Sequence, residues 1–276
     1  TIRLEARADG NDIPIIMHEE TVTVDHSMTI TYRSLWSGNS GLLYSSTTDV
    51  LPPHSFQIAS TLMGHTESIE GKGAFRAPLG LSFRIGLVHQ MEIDVHAGII
   101  LENVEAVPLL GSGAFKYRFI SLGESLGFDG AVTAKISYQA NTGTDTFSDF
   151  TGLSVGVPSQ LGLGPVALVL NPELILSPYV VTYDSTYDNE PKANLWLYLR
   201  GGLLLDLRTF MAGLSISART IPFSRGFALD VPFQTGLEAH LMIPGTQLFL
   251  SFALASEIES SSDWYVMGGG GLGFLY

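Results

Sequence analysis

Residues Asp263 to Tyr276 read DWYVMGGGGLGFLY, and they end the chain on an aromatic residue. Trp264, Val266, Gly268, Gly270, Leu272, Phe274 and Tyr276 share one face at the period-two spacing of a β-strand. A soluble domain gains little from a long apolar strand left at a sheet edge, because the unpaired backbone groups there invite aggregation. Closing the sheet into a barrel removes that edge.

A terminal aromatic preceded by apolar residues at every second position resembles the C-terminal signal of bacterial outer-membrane β-barrels, with Leu272, Phe274 and Tyr276 in the signal positions. That resemblance covers one strand. It implies a transmembrane antiparallel β-barrel, recognition by a barrel-assembly machinery, contact with outer-membrane lipid, and the outer membrane of a diderm bacterium as the location. Composition points the same way. The 276 residues include 30 glycines and no cysteine, only 15% are charged, and mean hydropathy is +0.26. No apolar run reaches the roughly eighteen residues that a membrane helix needs. High apolarity without long runs is what two-faced strands produce when one face meets lipid and the other a lumen. A soluble all-β sandwich would share the alternation. The absence of cysteine removes disulfide frameworks and thiolate chemistry. No secretory apolar segment or lipidation cysteine opens the chain, so for an exported protein Thr1 is expected to be a processed start.

From His54 onward the alternation is regular. Phe75, Leu79, Leu81, Phe83 and Ile85 oppose Arg76, Ser82 and Arg84; Met91, Ile93 and Val95 oppose Glu92, Asp94 and His96. Phe115, Tyr117 and Phe119 alternate with Lys116 and Arg118, and Phe128, Val132, Ala134 and Ile136 with Asp129, Thr133 and Lys135. Further on, Leu195 to Leu205 opposes Arg200 and Asp206, Leu214 and Ile216 oppose Ser217 and Arg219, and Val231 to Leu241 opposes Asp230, Glu238 and His240. The charged members are the expected lumen-lining residues. Two stretches are less regular, Phe150 to Val157 and Pro165 to Tyr183, and the second is apolar on both faces and carries Pro172 and Pro178. The count comes to about twelve strands.

Connection lengths sort by end. His65 to Lys72, Glu102 to Gly113, Asn141 to Asp149, Asp184 to Ala193, Ile221 to Arg225 and Glu257 to Asp263 are expected to be external, while Val88 to Gln90, Gly123 to Gly127, Asp206 to Arg208 and Pro244-Gly245 read as tight periplasmic turns. Pro158 to Gly164 is the one long connection at the periplasmic end. Residues 54–276 are therefore expected to form the barrel. Residues 1–53 differ, with three arginines against seven acids and an end at Pro52-Pro53 that favours an extended joint. They could plug the lumen, cap the periplasmic mouth, or add short strands through Thr21 to Thr31.

A turn centred on His89 would set Arg84 opposite Asp94, Phe83 opposite Val95 and Ser82 opposite His96. A Ser, a His and an Asp then lie close together, but facing inward near a periplasmic turn, where a ladder of hydrogen bonds explains them without catalysis. Gly268 to Gly271 lies within a strand and opens no helix, so it is no phosphate cradle. No cofactor or metal site is expected. A net charge of -13 argues against nucleic acid. Acidic loops would concentrate cations at an external rim, and the apolar Val166 to Val181 hints at apolar cargo. The leading expectation is a non-enzymatic channel passing small solutes. The alternatives are a non-conducting barrel that scaffolds a cell-envelope partner through residues 1–53, and an outer-membrane lipid hydrolase.

Overall fold

A computed structural model of the chain describes residues 41–69, 72–102, 109–122, 126–140, 152–177, 194–207, 209–220, 229–258 and 264–276. Gly41–Leu42 (β1) and Ser45–Ser46 (β2) form a small hairpin. The remaining strands are Phe56–Ile69 (β3), Lys72–Val88 (β4), Met91–Glu102 (β5), Leu109–Leu122 (β6), Leu126–Ala140 (β7), Gly152–Gly156 (β8), Ser159–Leu163 (β9), Val166–Ser177 (β10), Asn194–Asp206 (β11), Phe210–Thr220 (β12), Leu229–Met242 (β13), Leu248–Ile258 (β14) and Trp264–Leu275 (β15). Neighbours pair antiparallel, and β15 pairs with β3, so the sheet closes on itself.

β8 and β9 are one stave of the wall. Gly156 pairs with Thr133 and Ser159 with Gly130, while across the other edge Gly156 pairs with Glu173 and Ser159 with Leu170, so the register runs through Val157 and Pro158 without a slip. Pro158 merely lacks the N–H that would complete the ladder. The result is a closed antiparallel barrel of twelve staves. This corrects the long connection expected over Pro158 to Gly164. The turn is confined to Gly164-Pro165, where Gly164 takes φ 64, a left-handed conformation that glycine adopts without a Cβ penalty. A second correction concerns His65 to Lys72: β3 runs to Ile69 and β4 starts at Lys72, leaving only residues 70–71 between them. Alternation weakens there because the polar strand ends have no lipid face to satisfy, yet the ladder continues.

Short turns at His89-Gln90, Gly164-Pro165 and Pro244-Gly245 lie at the end of the barrel that carries Tyr276; the longest connections, 141–151 and 178–193, join strands at the other end, where the two-residue link 70–71 also lies. The register about His89 sets Arg84 opposite Asp94, Phe83 opposite Val95 and Ser82 opposite His96.

Burial is inverted relative to a soluble protein. Leu81, Val95, Phe119, Leu170, Leu237 and Phe252 are each more than 50% exposed on the outside, while Gln57, Arg84, Glu92, Lys116, Asn171 and His240 are each under 2% exposed inside. An apolar belt of this extent around a charged interior suits lipid outside and polar surroundings within. The closing seam is aromatic. Phe56 and Tyr276 exchange both backbone hydrogen bonds, at 2.8 and 2.9 Å. The Phe56 ring lies 5.3 Å from Tyr276, 6.3 Å from Phe274 and 6.2 Å from Phe83, so four rings bridge β15, β3 and β4 on the outer face.

Candidate functional site

The interior is not empty wall. Residues 43–51 lie within it, and their path can be followed from the short-turn mouth. Pro52 to Ser55 form a turn closed by Ser55 N–H donating to the Pro52 carbonyl at 3.2 Å, with Pro53 second and His54 third at φ 63. This is type II geometry, which proline favours at its second position, and it replaces the extended joint expected at Pro52-Pro53. Gly86 of β4 lets the chain pass close against the inner side of the wall here. A Cβ on Gly86 would lie 2.0 Å from the Pro52 carbonyl oxygen.

Inside the mouth, Leu51 is fully buried and packs on Leu275. Its N–H donates to Glu92 Oε2 at 3.0 Å. Lys116 Nζ donates to the Asp49 carbonyl at 3.0 Å and lies 3.7 Å from Glu92 Oε1, and Thr48 donates to Gln160 Oε1 at 3.3 Å. Deeper in, Leu43 sits among Met63, Ala253 and Ala255, and its N–H donates to Glu238 Oε1 at 2.8 Å. Gly236 makes the room, since a Cβ there would come within 2.5 Å of Leu43 Cδ2. β2 lies against β10, β11 and β12. The barrel thus holds its own segment through polar contacts that include the main-chain groups of Leu43, Asp49 and Leu51.

The wall behind the segment is a network of paired polar groups. Arg84 Nε donates to Asp94 Oδ2 at 2.7 Å, and its Nη1 reaches Gln57 Oε1 at 3.5 Å. Arg200 pairs with Glu173. His240 Nε2 lies 3.1 Å from Glu238 Oε2 and Nδ1 lies 2.8 Å from Ser251 Oγ. With Nε2 donating to the carboxylate, Nδ1 accepts the Ser251 hydroxyl proton. The order hydroxyl, imidazole, carboxylate is that of a hydrolytic triad. Here Ser251 is 2% exposed in the wall, and the second carboxylate oxygen of Glu238 accepts from Leu43 N–H.

Against solved structures, the chain resembles an outer-membrane channel from Pseudomonas putida F1 at 11% identity, covering 83% of this chain and 98% of that one with a TM-score of 0.50. It also resembles the translocator domain of the autotransporter NalP from Neisseria meningitidis (14% identity, 82% of this chain, 90% of that one, TM-score 0.45) and the β domain of the Bordetella autotransporter BrkA (11%, 80%, 98%, 0.41). The protein has the outer-membrane β-barrel fold. No protein-family model and no curated protein matches the chain.

Within this outer-membrane-type barrel, Arg84, Glu92, Asp94, Lys116 and Glu238 are buried on the inner face. His96, Lys135, Arg200 and Arg219 also point inward but are less covered; Arg200 lies 4.7 Å over the Tyr198 ring and Arg219 4.2 Å over Trp196. Arg118, Asp129 and Asp206 stand near the short-turn end, partly exposed, and Arg118 reaches the His89 carbonyl at 3.5 Å. Register places Arg76 opposite Glu102 and Asp230 opposite Arg219, but the side chains of Arg76 and Asp230 lie outside the described residues. Leu272, Phe274 and Tyr276 share the outer face. Most of the expected acidic loops, including 103–108, 141–149 and 184–190, also lie outside the described residues, as does Thr21 to Thr31.

The stretch from Val166 that reads as apolar on both faces has an internal explanation. Inward Ala167 and Val169 pack with Leu204 and Met211 across β10, β11 and β12. They form part of the wall's own core near the short-turn end, so the pattern needs no apolar cargo. Gln57, His240, Ser251, Gly86 and Gly236 escaped the sequence reading as site residues. Alternation does put His240 and Glu238 on one inward face, but nothing in a strand pattern says that a chain segment will lie against them.

Proposed function

We propose that this protein is an outer-membrane channel for passive passage of small solutes, gated by its own residues 41–51, with the short-turn end in the periplasm of a diderm bacterium. The observation that carries the reading is the segment inside a polar lumen, anchored through Leu43 N–H to Glu238 and Leu51 N–H to Glu92. Hydrogen bonds of this kind contribute about 0.5–1.5 kcal/mol each, and the chain has no cysteine to fasten the segment covalently. Such a segment can leave and return. Solute, barrel-assembly machinery and lipid are the partners this reading requires, and it assigns no catalytic step.

One observation favours the scaffold alternative. The buried pairs Arg84–Asp94 and Lys116–Glu92 join adjacent strands, and Glu92 and Lys116 also hold the segment at Leu51 and Asp49, so wall and segment are knit together as in a barrel that never conducts. Planar-bilayer recordings of the chain with and without residues 1–53 separate the two. The channel reading expects brief openings of the full chain and sustained conductance of the shortened one. A folded shortened barrel that stays silent would favour the scaffold.

A further inference from the structure

Three inward side chains stand in one lateral row of the wall: Asn171 of β10 is opposite Arg200 of β11, which is opposite Ser217 of β12. Asn171 and Ser217 are at most 1% exposed. Among the described residues, Asn171 Oδ1 and Nδ2, Arg200 Nε and Ser217 Oγ have no hydrogen-bond partner. Buried polar groups are almost always paired, because leaving one unmade costs about 1–3 kcal/mol. Ala167 and Val169 show that this stave accepts apolar residues inward, so an amide at 171 carries a cost that packing alone does not explain.

We infer that the Asn171–Arg200–Ser217 row binds the main chain of an extended, uncharged peptide, which competes for it with the β1–β2 hairpin. The side-chain amide of Asn171 presents an acceptor and a donor together, the complement of one peptide unit's N–H and C=O. Gly156 keeps the neighbouring wall flat, since a Cβ there would lie 2.9 Å from Asn171 Oδ1. Cross-strand neighbours are about 5 Å apart, so the row spans about 10 Å, roughly three residues of extended chain. Glu173 pairs with Arg200, and the neighbouring Lys135 is faced by Glu173 and Asp94, so the cations beside the row already have carboxylate partners. The kind of occupant follows from what the wall already holds. Glu238, Glu92 and Lys116 grip the segment through Leu43 N–H, Leu51 N–H and the Asp49 carbonyl, so this lumen recognises main chain. β2 lies against the same three strands without satisfying the row, and a peptide that satisfies it gains what the hairpin forgoes.

The inference rests on the lumen being open to solutes, as proposed above. Its test is fluorescence anisotropy on the full chain in detergent, titrated into a labelled, capped nine-residue Ser/Thr peptide. Saturable binding is expected, weakened about tenfold or more by backbone N-methylation of the peptide or by Asn171→Leu, and less by Ser217→Ala. A Leu43→Cys, Ala253→Cys chain should bind when reduced and lose binding when its disulfide pins the hairpin. Should Asn171→Leu fail to fold, the N-methylated peptide and Ser217→Ala decide the matter. Absence of saturable binding, equal binding of the N-methylated peptide, or displacement by an oligosaccharide of similar length would overturn the inference. Conductance is a separate readout: a conducting protein without peptide binding refutes the site and leaves the channel standing.

Discussion

Gly86 and Gly236 mark two places where the inner chain comes closest to the wall backbone, at Pro52 and at Leu43. Gly236→Leu should evict the hairpin while preserving the ladder. The expected outcome is a longer-lived open state in bilayer recordings, with unchanged heat-modifiability on gels. Unaltered gating would mean that Leu43 does not close the pore. The Arg84–Asp94 pair makes a different prediction, because removing one partner of a buried pair strands the other charge. Asp94→Ala should cost about 3–5 kcal/mol in urea unfolding from lipid, and Arg84→Met with Asp94→Leu should cost much less. Equal losses would show that water in the lumen screens the pair. The pair itself was legible in the sequence, since a turn at His89 fixes residues 84 and 94 opposite one another. The glycines were not. Period-two alternation treats an inward glycine as neutral, and only a chain segment from elsewhere gives its missing Cβ a reason.

At the scale of the strand, closure depends on β15 meeting β3, with Phe56 in the middle of four rings. Deleting Phe274 to Tyr276 should abolish the gel shift of the folded barrel and drive the chain into aggregates, because an open barrel leaves backbone groups that lipid cannot satisfy. Persistence as a soluble, detergent-free monomer would contradict the membrane fold. Phe56→Ala should weaken the same seam by about 1–3 kcal/mol, read as a lowered melting temperature, because its ring contacts with Tyr276, Phe274 and Phe83 are worth roughly 0.5–1.5 kcal/mol each. Most strands could be read from alternation, since each carries lipid on one face and polar lumen on the other. The stave of β8 and β9 could not, because Pro158 looks like a chain break to any propensity argument, while neighbouring strands hold it in register from both sides. Polar strand ends such as Thr66 to Ser68 were hidden for the opposite reason: they pair above the apolar belt, where alternation has nothing to enforce it.

For the molecule as a whole, the longest connections, 141–151 and 178–193, lie at the end opposite Tyr276, although residues 70–71 make a tight link there, and those long connections predict its orientation. Epitope tags inserted within 141–149 and 184–193 should be reached by antibody on intact cells, and a tag at Pro244 should not. Surface exposure of the Pro244 tag would invert the barrel. Within that frame the central claim is that residues 41–51 close the lumen and can leave it. Leu43→Cys and Ala253→Cys, both within the apolar cluster that seats the hairpin in a chain without other cysteines, turn that claim into a redox switch. Single-channel recording of this one protein is the direct test. With the disulfide formed the bilayer should stay silent, and a reductant added to the same membrane should bring discrete openings; identical conductance in both states would contradict the account.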